Sequence, residues 1–230
     1  MTRGMSKLTI NGKSFSKRYI ASLEVDPMNC FTSKCMGELP IVGGEEIVAE
    51  LNAQAEIASK RTFSKDAHPL NAYWVVKPAF PQLSLIPEKR ENMDVHWNIH
   101  GVPGTYGFEL IDGLPPVSHY DFFVYKGVER DMHPYGACYH DHAELISTGL
   151  IEWYRCNGIK VIIVGGLATD YCVKLTVLQL LRANFIVVLN LGACRGISLT
   201  SEENAIEEMR RAGAITAWHS ENILRSIFEN

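Results

Sequence analysis

Short apolar runs rich in β-branched residues alternate along the chain with segments whose apolar positions recur every three or four residues. Residues 19–25 read as a first strand, and residues 44–59 carry a helical stripe of Ile47, Leu51, Ala55 and Ala58. Residues 60–64 and 120–125 read as the second and third strands, and 141–157 as a helix that stops near Gly158. The run Val161-Ile-Ile-Val164 is short and wholly apolar, as a buried parallel strand should be. Gly165 and Gly166 break it, and Val173, Val177, Leu180 and Leu181 then follow at helical spacing. Residues 184–190 form a fifth strand, 201–212 a helix closed by Gly213, and 214–217 a last short strand. Alternation of this kind predicts an α/β fold, three-layer α-β-α, with a mostly parallel sheet of about six strands. Ligands in such sheets collect at the carboxyl ends of the strands.

One stretch breaks the alternation. Residues 71–98 are irregular and carry the charged run Glu88-Lys-Arg-Glu91, with Pro69, Pro78, Pro81 and Pro87 in or beside them. A structureless connection of that length is unusual, so it is expected to be a lid or a subunit-contact loop, and a homo-oligomer is the expected assembly. Otherwise residues 1–230 read as a single domain.

Composition narrows the partners. A formal net charge of −4 gives no electrostatic case for nucleic acid or an anionic membrane. No apolar run approaches a membrane span, and the polar start of the chain lacks the apolar core of a signal peptide, so the expected location is cytoplasmic. The six cysteines include no C-x-x-C pair and are expected to be reduced thiols, with Cys156 and Cys194 structural.

Several residues at predicted strand ends could carry chemistry. Cys172 follows the Gly165-Gly166 break at the start of a helix, where the dipole and unpaired N–H groups lower a thiol's pKa. Geometry alone leaves a nucleophile and a small buried filler equally open. Asp26 closes the first strand, and Pro27 after it disfavours helical geometry, so an extended Asp26 is expected. Asp66 and His68 lie two residues apart after the second strand, so both can point to the same side of an extended segment.

The segment Gly166-Leu-Ala-Thr-Asp-Tyr-Cys172-Val-Lys-Leu-Thr, followed by Gly192-Ala-Cys-Arg-Gly-Ile-Ser, resembles the nucleophile region of nicotinamidases, which belong to the isochorismatase-like cysteine hydrolases. The resemblance covers residues 20–213 and implies the isochorismatase-like hydrolase fold. It makes Cys172 the nucleophile, Asp26 its base, and Lys126, in a strand-end Lys-Gly, the cation between them. Backbone N–H groups of Ala168 and Cys172 form an oxyanion hole, with a cis peptide leading into Ala168. The pattern Trp97-Asn-Ile-His100-Gly-Val-Pro-Gly104-Thr-Tyr-Gly-Phe-Glu109-Leu110 matches the family's spacing and selects His100 over His96 as third metal ligand beside Asp66 and His68. His96 is then an outer or surface histidine. A carboxylate with two histidines suits one divalent ion, Zn first, with Fe or Mn as alternatives. Phe31, Trp97 and Tyr135 would sandwich the substrate ring.

The implied reaction is hydrolysis of nicotinamide to nicotinate and ammonia in NAD salvage, with pyrazinamide also cleaved. Met28 and Cys30 stand where the family has Gln and Asp, and Tyr135-Gly-Ala-Cys138 replaces a Tyr-Ser-Ala-Phe-like segment. These departures keep two alternatives in view: an amidase of the superfamily with another carboxamide or ureido substrate, and an inactive homologue. A mononuclear iron oxygenase also uses two histidines and a carboxylate, but it leaves Asp26, Lys126 and Cys172 without tasks.

Overall fold

The computed structural model describes residues 7–10 and 12–225. In chain order its elements are β1 (Lys7–Ile10), β2 (Lys13–Ser16), β3 (Ile20–Val25), α1 (Val48–Ile57), β4 (Lys60–Asp66), β5 (Leu85–Arg90), β6 (Met93–Val95), β7 (Phe122–Lys126), α2 (Leu150–Cys156), β8 (Val161–Leu167), α3 (Lys174–Arg182), β9 (Ile186–Arg195), α4 (Leu199–Arg211), β10 (Ile215–Ala217) and α5 (Ser220–Arg225). The central sheet has six strands in the order β10-β9-β8-β3-β4-β7, all parallel.

The two-residue period of a strand sorts its side chains between two helical layers. Ile162 and Val164 of β8, with Val187 and Leu189 of β9, pack against Leu150 and Tyr154 of α2, Val177 and Leu180 of α3, and Met209 of α4. Val161 and Ile163, one residue out of phase, meet Ile57 of α1, Ile223 of α5 and Leu8 of the β1–β2 hairpin. Every residue of β8 is buried, which explains its uninterrupted apolar run. From β3 the chain winds outward through β4 and β7, then returns to β8 on the other side of β3. That reversal opens a crevice at the carboxyl ends of β3 and β8.

Several boundaries differ from the sequence expectation. The helix expected over 141–157 is reduced to α2, because the Asp141 carboxylate accepts the N–H groups of Leu145 and Ile146 at 3.0 and 2.8 Å and holds a turn instead. The strand expected over 184–190 runs on to Arg195 past an irregularity opposite Val164 and Gly166. The expected helix over 44–59 begins as a 3-10 turn, Gly44–Ile47, and Ala58 is already extended. The 71–98 stretch contains the antiparallel β5–β6 pair. The β1–β2 hairpin and α5 had no recognised sequence signal. Among the described residues no helix is long and apolar enough to cross a membrane.

Candidate active site

Four polar side chains meet where the parallel strands end. Asp66 and Lys126 are register partners, the last residues of β4 and β7. Asp26 follows β3, and Cys172 follows β8 within a one-turn π-helix, Thr169–Val173, that precedes α3. All four are buried. Lys126 is the hub. Its Nζ lies 3.0 Å from Asp26 Oδ2, donates to Asp66 Oδ1, reaches the Pro134 carbonyl at 3.3 Å and stands 3.6 Å from Cys172 Sγ.

Two expectations are corrected here. Asp26 is not extended. Its φ is +46°, on the left-handed side, where aspartate is tolerated better than most residues. Pro27 excludes only the right-handed helical region, and tertiary contacts make the choice: Asp26 N–H donates to the Ser64 carbonyl at 3.1 Å, and its own carbonyl accepts from Met28 N–H at 2.8 Å. Ser64 Oγ donates to Asp26 Oδ1 at 2.6 Å and fixes the carboxylate. The second correction concerns the thiol. Burial pushes Cys172 well above its ordinary pKa, and Lys126 offsets this only in part, so the thiol is protonated rather than pre-ionised. Burial also raises the Asp26 carboxyl, and Lys126 draws it back, leaving it at about 6. Burial alone would lower Lys126, but Asp26 and Asp66 outweigh it and hold the ammonium charged. A charged lysine, a carboxylate able to take a proton and a thiol able to give one thus lie side by side.

The peptide Leu167–Ala168 is cis. Gly166, at φ +138°, lies so close to β3 that a Cβ there would stand 2.1 Å from the Val25 carbonyl oxygen, so glycine is required. Gly127 is required for a similar reason: its φ is +67°, and a Cβ would meet the His68 ring at 2.3 Å.

A histidine cluster adjoins Asp66. His68 Nδ1 lies 3.0 Å from the Gly127 carbonyl, and His100 Nδ1 2.6 Å from the Asn98 carbonyl. A carbonyl only accepts, so both Nδ1 atoms carry the proton and both Nε2 atoms keep a lone pair. Those Nε2 atoms sit 3.3 and 3.7 Å from the two Asp66 oxygens. His68 Nε2 is buried with no hydrogen-bond partner. Two oriented imidazole lone pairs beside a carboxylate, one of them without a partner, fit a divalent metal ion. Glu38 steadies the loop that presents His100, accepting Gly101 N–H at 3.0 Å on its carboxylate and Asn98 Nδ2 at 3.2 Å on its carbonyl. His96 stays out of the cluster. It is buried rather than superficial, with Nδ1 on the Trp74 carbonyl at 3.0 Å and its ring stacked on Phe80.

Aromatic side chains wall the cleft above. Phe31, Trp97, His100, His133, Tyr135, Ala168, Tyr171 and Cys172 all face it. Trp97 meets Tyr171 edge-on at 5.0 Å and donates Nε1–H to Tyr135 Oη at 3.1 Å, and Tyr135 in turn donates to Asp94 Oδ1 of β6 at 2.7 Å. The 71–98 stretch therefore builds part of the wall. Met28 and Cys30 are buried in the core beneath the cleft. Tyr171, Trp74 and His133 had not been singled out from the sequence. Tyr171 could have been, since it adjoins Cys172 within the matched segment, and His133 stands two residues before Tyr135.

Comparison with known proteins agrees with this architecture. The isochorismatase domain model matches residues 25–220, and the chain belongs to that family. It is 31% identical to a nicotinamidase of Escherichia coli over 84% of this chain and 92% of that enzyme. Among solved structures, an Acinetobacter baumanii nicotinamidase superposes with a TM-score of 0.81 at 26% identity, covering 90% of this chain and 98% of that one. A pyrazinamidase of Pyrococcus horikoshii in complex with zinc gives a TM-score of 0.68 at 26% identity, over 86% of this chain and 98% of that one.

Proposed function

We propose that this member of the isochorismatase family is a nicotinamidase, a cysteine amidohydrolase that releases ammonia from nicotinamide to give nicotinate in NAD salvage, and that it also cleaves pyrazinamide. One observation carries the reading: Lys126 Nζ stands 3.0 Å from Asp26 and 3.6 Å from Cys172 Sγ, directly below a cleft walled by Trp97, Tyr135 and Phe31. Its 31% identity to a named nicotinamidase over nearly the whole of that enzyme supports the substrate.

Asp26 takes the Cys172 proton as sulfur attacks the carboxamide carbon, so the charged nucleophile exists only at the moment of attack. The negative charge moves to the carboxamide oxygen, where the N–H groups of Ala168 and Cys172 receive it. Such donors contribute about 3–4 kcal/mol each in comparable enzymes. Protonated Asp26 returns its proton to the departing nitrogen, which leaves as ammonia and gives a thioester. Water then attacks the thioester, Asp26 takes its proton, and the thiol is restored. Lys126 keeps the Asp26 carboxylate oriented through both steps. Asp66, His68 and His100 would hold one divalent ion, zinc in the first instance, which would supply a Lewis-acid contact for the pyridine nitrogen. Trp97 and Tyr135, with Phe31, hold the ring. A cytoplasmic homo-oligomer is the setting this reading carries with it.

Nicotinate formation from nicotinamide, measured with and without a chelator and after zinc is restored, tests the reading. Turnover that falls on chelation and returns with zinc supports it. No nicotinate from zinc-loaded protein sinks it.

A further inference from the structure

The histidine cluster is larger than the family pattern assigns. His133, from the loop between β7 and α2, is buried, and neither of its ring nitrogens has a hydrogen-bond partner. A buried polar atom left unpaired is destabilising, and here one ring carries two. His68, His100 and His133 each offer a nitrogen, and the three atoms lie within 4.8 Å of one another. Nitrogens bound to one zinc at about 2.0–2.1 Å stand roughly 3–4 Å apart, so little contraction would bring these three onto a single ion.

The backbone that presents His133 is pinned on three sides. Trp74 Nε1 donates to the Met132 carbonyl at 3.2 Å, His133 N–H donates to the Asn92 carbonyl at 2.8 Å, and Lys126 Nζ donates to the Pro134 carbonyl at 3.3 Å. The ring by contrast makes no hydrogen bond and is held only by packing against Trp74, Trp97, Tyr135 and the two neighbouring imidazoles. It lies nearly parallel to that of His68, 5.0 Å away and inclined by 19°, and edge-on to His100 at 5.7 Å. A ligand must present the edge of its ring to the ion, and a small turn about the side-chain torsions would complete the approach. No hydrogen bond of the ring opposes that turn.

The geometry points to His133 as a further protein ligand, so that Asp66 and three imidazoles, rather than two, hold the ion. This rests on the reading that Asp66, His68 and His100 bind a divalent metal. A donor set with three imidazole nitrogens favours zinc, cobalt, nickel or iron over manganese, which prefers oxygen ligands. It also places an ion ligand two residues from Tyr135, linking the ion to the aromatic wall through one short loop.

The experiment titrates the metal-free full chain with zinc in competition with a chromophoric chelator, and records the visible spectrum of the cobalt-loaded form. The parent, His133→Ala, His133→Gln and His96→Ala are compared, each checked for native melting. Removing even the groups that orient ligands costs 10–100-fold in metal affinity, so losing a ligand should weaken zinc by about 100-fold or more. Both His133 variants should show that loss and a changed cobalt spectrum, while His96→Ala should bind as the parent does. Parent-like affinity and an unchanged spectrum in both His133 variants would overturn the proposal and leave the Asp66–His68–His100 site standing. A parent that takes up no stoichiometric ion would overturn both.

Discussion

The floor and the wall of the cleft are built in different ways. Asp66 and Lys126 of the floor are placed by the register of β4 on β7, Asp26 directly follows β3, and Cys172 sits in the one-turn helix that follows β8, with β3 and β8 paired from Ile20 and Val161 to Val25 and Gly166. Their convergence follows from sheet geometry and from the core packed beneath it. Trp97, His133 and Tyr135 of the wall, with Asp94 behind them, come from the 71–98 stretch and the loop after β7. There loops and side chains are tied by separate hydrogen bonds, among them Trp97 to Tyr135, Tyr135 to Asp94, and His133 to Asn92, rather than by a continuous strand ladder. A net hydrogen bond contributes about 0.5–1.5 kcal/mol, so the wall can be retuned by one substitution while the floor cannot. The proposed mechanism therefore puts the chemistry on the rigid part and substrate choice on the adjustable part.

The strongest way to break this division is Cys172→Ser. Turnover should fall by about 10⁴-fold or more while the fold and melting temperature are kept. A serine variant within tenfold of the parent would remove the floor from the chemistry. In the proposed mechanism Asp26 and Cys172 act in one step, so Asp26→Asn combined with Cys172→Ala should be little worse than either change alone. Losses that multiply in the double variant would mean that the two residues serve separate steps.

The ring contact gives a smaller effect. Benzamide carries the scissile group but no pyridine nitrogen. Sites built to bond a polar group can reject analogues lacking it by up to ~10⁴–10⁵. Water can refill the vacant position here, so the expected preference for nicotinamide is on the order of 10²-fold in kcat/KM. His100→Ala should lower both metal occupancy and that preference. Equal rates on the two amides in metal-loaded protein would take the ion out of substrate recognition. The smallest effect belongs to the outer wall. Asp94→Ala removes the acceptor of Tyr135, and KM should rise by about tenfold with kcat within twofold. A fall in kcat at unchanged KM would put the wall inside the chemical step.

The same division explains what could be read from the sequence. The buried strands β3, β8 and β9 were legible as runs rich in apolar residues, whereas β4 is largely polar and β7 and β10 are only partly buried, so their signal was weaker; the strand-end polar residues followed from where the strands stop. That Asp66 and His68 leave one strand exit toward the same side was legible through their two-residue spacing, while their proposed metal role came only with the resemblance. Asp26 was placed at its strand end, but its φ was not legible, because hydrogen bonds to Ser64, distant in sequence, override the local effect of Pro27. The thiol's pKa was misjudged because helix-end polarity is visible in sequence whereas burial is not. His133 was missed for a related reason. It reaches His68 through a loop with no periodic pattern, and only its unpaired nitrogens in the folded protein draw attention to it.

Covalent chemistry at Cys172 is the claim on which the rest depends, and rapid-quench mass spectrometry during nicotinamide turnover tests it most directly. A nicotinoyl thioester is expected on the peptide containing Cys172 in the parent and is expected to be absent from Cys172→Ser. Its amount should rise before steady state if hydrolysis of the thioester is slow. An acyl adduct on any of the other cysteines, or full turnover in the serine variant, would contradict it.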